Sequence, residues 1–196
     1  MRLIFATHNP NKVREIQAIV PSYIKIQSLA ELDYNTPIIE SGYNLEENAL
    51  MKAKTVYDQF KRACFSEDTG LEIAALHGAP GVHSARYAGE NATDKENVQK
   101  VLAQLGDEPN RKARFRTILA LVMSPEEIYM FEGLCIGNIL MGPQGVHGFG
   151  YDPIFQPNGY EKTFGEMTSS EKQAISHRTH AFEKMNSFLV RYRSPR

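Results

Sequence analysis

Apolar residues along this chain follow two rhythms. Leu3-Ile4-Phe5-Ala6 is a continuous run of the length of a short buried strand, whereas Tyr23 to Leu29 alternates apolar and polar positions as a half-buried strand does. Between them Val13, Ile16, Ile19 and Val20 recur at helical spacing. They follow Asn9-Pro10, where Asn9 suits an N-cap and Pro10 the first helical position. A second helical stripe, Leu50, Ala53, Val56, Tyr57 and Phe60, follows Asn44-Leu45-Glu46-Glu47, which has the form of a capping box. A third, Val98, Val101, Leu102 and Leu105, follows the capping box Thr93-Asp94-Lys95-Glu96.

The remaining segments are extended or irregular. Cys64-Phe65-Ser66 reads as a strand emptying into an acidic turn, Glu67-Asp68-Thr69-Gly70. Residues 113–123 and 128–140 read as the two strands of a hairpin around Ser124-Pro125-Glu126-Glu127. Residues 33–43, His77 to Asn91 and Gly142 to Gly150 read as loops, and Tyr151 to Phe155 resumes an extended segment. A last helical region opens at Thr168, Ser176 can cap a fresh start within it, and Ala181, Phe182, Met185, Phe188, Leu189 and Tyr192 form its inner face. Early alternation of strands and helices with a later hairpin predicts a mixed α/β fold, helices packed on a sheet.

Composition narrows this further. With 196 residues, 42% hydrophobic and 23% charged, the chain reads as one domain, residues 1–196, with one core. A net charge of −1 gives no global field for nucleic acid or an anionic membrane, so any phosphate must be gripped locally. The apolar runs are too short for a signal sequence or a membrane span. Cys64 and Cys135 stand apart in apolar stretches, which predicts buried free thiols and a cytoplasmic, reducing location.

Four groups of residues carry possible chemistry. The turn Thr7-His8-Asn9-Pro10-Asn11-Lys12 brings a helix N-terminus, a hydroxyl, an amide and an ammonium together, a combination that suits phosphate; taken alone, it reads better as an ordinary Asn-Pro cap. The carboxylates Glu40, Glu46, Glu47, Glu67 and Asp68 suit a hard cation and a positioned water, although each singly has a bland role as a cap or solvated charge. Like charges about 4 Å apart repel by roughly 4 kcal/mol at an effective dielectric near 20, so carboxylates beside a phosphate imply a divalent cation, Mg²⁺ by its oxygen preference. In Gly148-Phe149-Gly150-Tyr151-Asp152-Pro153, small residues let a flat ligand approach, Phe149 or Tyr151 can stack on it, and Asp152 can accept from base N–H groups; a glycine-rich turn feeding aromatics to the core is the equal alternative. Lys172, His177 and Arg178 can donate to a purine's O6 and N7, or simply form a solvated helix face.

In this order, Ala6 to Lys12, Glu46-Glu47-Asn48-Ala49, Glu67 to Leu71, Gly81-Val82-His83-Ser84-Ala85-Arg86-Tyr87, Gly148 to Pro153 and Ser176-His177-Arg178 closely resemble the inosine triphosphate pyrophosphatase family across nearly the whole chain. The resemblance implies an elongated, two-lobed α/β fold with a central twisted mixed sheet and a cleft between lobes. It also implies Mg²⁺-dependent hydrolysis of inosine, deoxyinosine and xanthosine triphosphates to monophosphate and pyrophosphate by a homodimer. Carried over by position, Asp68 resembles the family's general base and metal-associated carboxylate, and Thr69 stands where a substrate-contacting Ser is common. Thr7 to Lys12 and Lys52 match phosphate-facing positions; Phe149, Gly150, Tyr151, Asp152, Lys172, His177 and Arg178 match nucleobase-facing ones. Many bacterial members carry Asp-Asp-Ser-Gly at Glu67 to Gly70, and many relatives carry Glu-Glu-Thr-Gly where this chain has Ile39-Glu40-Ser41-Gly42, leaving Glu40 to supply a second metal ligand. Two other readings stay open: a Maf-like pyrophosphatase for other modified nucleotides, and a nucleotide-sensing module without catalysis.

Overall fold

The computed structural model describes residues 1–193. Six strands form one mixed sheet: β1 (Arg2–Phe5), β2 (Lys25–Ser28), β3 (Cys64–Ile73), β4 (Lys112–Val122), β5 (Ile128–Ile139) and β6 (Phe155–Pro157), in the spatial order β2-β1-β3-β4-β5-β6. β1 runs parallel to both β2 and β3, and β6 closes antiparallel on β5. The described residues also form five α-helices: α1 (Pro10–Ile19), α2 (Leu45–Phe60), α3 (Asp94–Leu105), α4 (Ser169–Gln173) and α5 (His177–Arg193). The predicted mixed α/β class and the hairpin of β4 and β5 are both present.

The caps account for where the helices begin. Asn9 Oδ1 accepts from the backbone N–H of Asn11 and Lys12, Asn44 Oδ1 from that of Glu47, and Thr93 and Thr168 each form a reciprocal capping box with a glutamate three residues on. A break after α4 allows the new start at His177, directly after Ser176.

Three sequence readings need correction. The acidic segment Glu67 to Gly70 is no turn, because β3 continues through it to Ile73. Residues 77–91 contain a six-residue 3-10 helix, Gly81–Arg86, and Asp152–Ile154 is another short 3-10 turn rather than an extended run. The buried apolar residues form two clusters instead of one.

Those clusters belong to two compact units. The first unit comprises Met1–Asp68, Thr117–Gly133 and Arg178–Arg196, and its core gathers Leu3, Phe5, Ile16, Phe65, Leu119, Leu121, Phe182, Met185 and Leu189. The rings of Phe5 and Phe65 stack at 4.5 Å on adjacent strands. The second unit comprises Thr69–Arg116 and Leu134–His177, with Leu71, Ile73, Val98, Val101, Phe115, Phe155 and Phe164 at its centre. A helical stripe three to four residues apart on α3 and the alternation of β4 and β5 supply these faces.

Candidate active site

Within the first unit, β3 presents its residues alternately to two sets of helices. Cys64 Sγ meets the Ala53 carbonyl and Ser66 Oγ donates to that of Ala49, both on α2; Asp68 faces the same way. Phe65 and Glu67 face the other way, Phe65 into the core with Ile16 and Phe182, and Glu67 towards Arg178 at the start of α5.

Asp68 is almost wholly buried, at 6% exposure, and its partners come from α2. Lys52 Nζ lies 2.7 Å from Asp68 Oδ1 and 3.2 Å from Glu40 Oε1, so one ammonium draws two carboxylates together. Asn48 is fully buried; its amide lies 3.5 Å from Asp68 Oδ2 and its carbonyl oxygen accepts from Gly42 N–H at 2.8 Å, tying the segment bearing Glu40 to the same centre. Burial pushes the Asp68 carboxyl above the ordinary carboxylate range, against the opposing pull of Lys52 and Lys12. Burial would lower Lys52 too, but Asp68 and Glu40 outweigh it and hold the ammonium.

The helix α2 explains how these groups reach the interior. Its buried positions are Leu45, Asn48, Ala49, Lys52, Ala53 and Val56, a single stripe into which Asn48 and Lys52 are set as polar members. Asn48 is a further member of this centre, beyond the residues that the sequence motifs point to. An amide and an ammonium at i and i+4 on an otherwise apolar face were the available signal.

The turn before α1 takes the form of the Asn-Pro cap that its residues read as when taken alone. Asn9 Oδ1 takes the N–H of Asn11 and Lys12, the Asn9 carbonyl takes that of Val13, and Pro10 has none, so the first-turn amides are already engaged. Thr7 Oγ1 accepts from Asn9 N–H, His8 Nε2 contacts the Tyr34 carbonyl at 3.0 Å, and Asn11 Oδ1 accepts from Arg14. The charge this turn offers is Lys12, whose Nζ lies 3.4 Å from Glu67 Oε1 with the side chain 15% exposed.

Glu67 is buried, contrary to the reading of a solvated charge, and is gripped by Arg178. Nε and Nη2 of Arg178 donate to Glu67 Oε2 and Oε1 at 2.6 and 2.7 Å, while Nη1 donates to Glu15 of α1. Arg178 is 1% exposed, and the carboxylates outweigh the burial that would otherwise lower its pKa.

The second unit holds the other predicted residues. Asp152 Oδ2 accepts from Phe149 N–H at 2.9 Å and from Lys172 Nζ at 2.7 Å, and that ammonium stands 4.9 Å over the Phe149 ring and 5.4 Å from that of Phe164. Gly150 N–H donates to Asp94 at 2.7 Å. Tyr151, one of the two rings that could stack on a ligand, is buried, as the alternative of a turn feeding aromatics to the core has it, and its hydroxyl donates to the Ser84 carbonyl at 2.8 Å. Ser84 Oγ in turn accepts from Leu71 N–H at 2.9 Å, so Gly81–Arg86 fastens the Tyr151 segment to β3. His177 is buried with its ring stacked on Phe115 at 4.6 Å. A cavity of about 410 Å³, within the range of small-molecule sites, is bordered by Phe149, Val98, Leu102, Pro143 and Val146. Thr69 follows Asp68 on β3 and is half-buried.

Comparison with known proteins decides the ancestry of this arrangement. The sequence pattern of the Ham1 family matches residues 3–188. The chain belongs to the Ham1 family. It is 48% identical over 189 residues to a protein of Christiangramia forsetii named dITP/XTP pyrophosphatase, covering 96% of this chain and 99% of that one. It is 45% identical to one of the same name from Bacillus subtilis, covering 95% and 96%. Among solved structures, a HAM1 protein from Coxiella burnetii superposes with a TM-score of 0.90 at 38% identity over 97% of this chain and 99% of that chain. The Staphylococcus aureus Ham1 protein gives 0.89 at 34% identity over 98% and 100%.

Proposed function

We propose that this protein hydrolyses non-canonical purine nucleoside triphosphates, ITP, dITP and XTP, to the monophosphate and pyrophosphate, clearing them from the nucleotide pool. The observation that carries this reading is the convergence of buried Lys52 and Asn48 on buried Asp68, with the part-exposed Glu40 paired to the same ammonium, in a chain whose relatives are named dITP/XTP pyrophosphatases. The whole chain, residues 1–196, serves as one catalytic domain.

Asp68 and Glu40 would hold Mg²⁺. Among the described residues no three His, Cys, Asp or Glu gather into a protein-only cage, but magnesium is commonly held by one or two carboxylates together with substrate phosphate oxygens, and this pair fits that pattern. When bound, the ion neutralises phosphate charge as a Lewis acid. Lys12 and Lys52 pair with the triphosphate, Lys12 reaching it from a side chain rather than through backbone N–H groups. Thr7 to Asn11 fix the start of α1, and Thr69, the residue after Asp68 along β3, contacts substrate. Asp68 orients the attacking water and takes its proton as the water oxygen bonds to the α-phosphorus and the bond from that phosphorus to the α,β-bridging oxygen breaks, pyrophosphate leaving with that oxygen. Positioning and electrostatics carry most of the rate.

Selectivity rests with the Asp152–Lys172 pair. Lys172 donates to the 6-oxo group, Asp152 accepts from N1–H, Phe149 stacks on the ring, and Gly150, Tyr151 and His177 shape their surroundings. Adenine presents an amino group to that donor, and one unmatched buried donor costs about 1–3 kcal/mol. A homodimer and a cytoplasmic location complete the reading; no helix among the described residues is long and apolar enough to cross a membrane.

The test is pyrophosphate release from ITP, XTP, ATP, GTP and modified pyrimidine triphosphates, with and without Mg²⁺, in the native protein and Asp68→Asn. Turnover of ITP and XTP that needs Mg²⁺ and collapses in Asp68→Asn, with ITP binding retained, is expected. Near-native turnover in the variant refutes the role of Asp68, and a preference for modified pyrimidines refutes the substrate class.

A further inference from the structure

The resemblance points Arg178 at the base, but its geometry points elsewhere. The guanidinium is 1% exposed and forms a two-point pair with Glu67, at 2.6 and 2.7 Å, and a third contact with Glu15. The same Glu67 oxygen that accepts from Arg178 Nη2 also lies 3.4 Å from Lys12 Nζ. This distance exceeds that of a charge-assisted hydrogen bond, and Lys12, at 15% side-chain exposure, reaches towards solvent where Arg178 does not.

We propose that Arg178 is a positioning residue for triphosphate binding: by saturating Glu67, it lets that carboxylate aim Lys12 without capturing it. The proposal rests on the reading of Lys12 as a phosphate ligand. Glu67 has no exposed side-chain surface, so a buried anion there must be satisfied by whatever cation is near. With the planar fork of Arg178 in place, both Glu67 oxygens are occupied and Lys12 is held at longer range. With a single ammonium at 178, one oxygen loses its partner and Lys12 closes on it, withdrawing its charge from substrate. Nothing in this chain of contacts depends on the identity of the base.

The test is a double-mutant cycle of Arg178→Lys and Lys12→Ala, read by KM and kcat for ITP, by the ITP-to-ATP preference, and by inhibition with inorganic tripolyphosphate, which has no base. In Arg178→Lys, KM for ITP and the inhibition constant of tripolyphosphate should both rise about ten-fold, the loss of one charged hydrogen bond, with the ITP-to-ATP preference unchanged. In the Lys12→Ala background the same substitution should have no further effect on either constant. A penalty that persists there, or a change in base preference with tripolyphosphate inhibition intact, overturns the proposal. If Lys12→Ala alone alters neither constant, the phosphate role of Lys12 fails and this inference with it. Should Arg178→Lys not fold, Glu67→Gln is put through the same cycle, where its effect on tripolyphosphate must likewise vanish with Lys12.

Discussion

Gly148 lies where a single methyl group separates two physical effects. Its φ is +76°, and a Cβ built on it would stand 2.0 Å from Asp152 Oδ2 and 2.8 Å from Asp152 Cγ. Gly150, two residues on, has a φ of +60° and open space where its Cβ would be. Alanine at either position takes on left-handed strain of about 1–2 kcal/mol, so strain nearly cancels between the two variants. What remains is the Asp152 carboxylate, which is 2% exposed and accepts from Phe149 N–H and Lys172 Nζ. Hydrogen bonds to charged groups are worth roughly 1.5–3 kcal/mol each, so displacing the carboxylate from one or both should make Gly148→Ala about 2–4 kcal/mol less stable than Gly150→Ala. For a chain of this size that is a difference in Tm of about 4–16 °C. Denaturant unfolding of the two variants side by side reads the difference directly, and KM for ITP should rise far more in Gly148→Ala. If the two unfold within about 0.5 kcal/mol of each other, the Asp152 network is not what Gly148 protects.

Two other measurements follow from the same physics. Burial pushes the thiols of Cys64 and Cys135 up to about 12, so at pH 8 neither should react with a disulfide reagent in the native protein and both should in denaturant; rapid native reaction would contradict their burial. The Thr168 backbone N–H, followed by Lys162, holds the Glu171 carboxyl down at about 2. A depressed carboxylate stabilises the fold above its ordinary value of 4.5 and loses that contribution as the pH falls towards about 2. The thermal midpoints of native protein and Glu171→Gln should therefore converge between pH 5 and pH 2.5, and a constant gap would exclude the cap as the cause.

Local signals in the sequence foretold most of the fold. Asn9 and Thr93 cap the helices that periodicity placed after them, and Thr168 caps α4 where the last helical region was read to open, because a cap is decided within four residues. The acidic strand escapes a local reading for the opposite reason. Glu67, Asp68 and Gly70 have turn composition, and only partners far along the chain, Arg178 and Lys52, make a buried strand of them. The same distance hid the occupations of Tyr151 and Arg178, whose chemistry suited a ligand but whose polar groups meet the Ser84 carbonyl and two carboxylates. Pairwise satisfaction of buried charge leaves no trace in local spacing.

The alternation of β3 sets a rule for how this segment can vary over evolutionary time. Odd-numbered Phe65 and Glu67 serve one side and even-numbered Ser66 and Asp68 the other. Inserting or deleting one residue ahead of Glu67 would exchange the two sides, sending a carboxylate meant for Arg178 to Lys52 and the reverse. Substitution within this stretch is a matter of degree; a change in its length is not. Insertions should accumulate instead in the connections, such as residues 123–127 and 106–111, where the count of residues carries no parity.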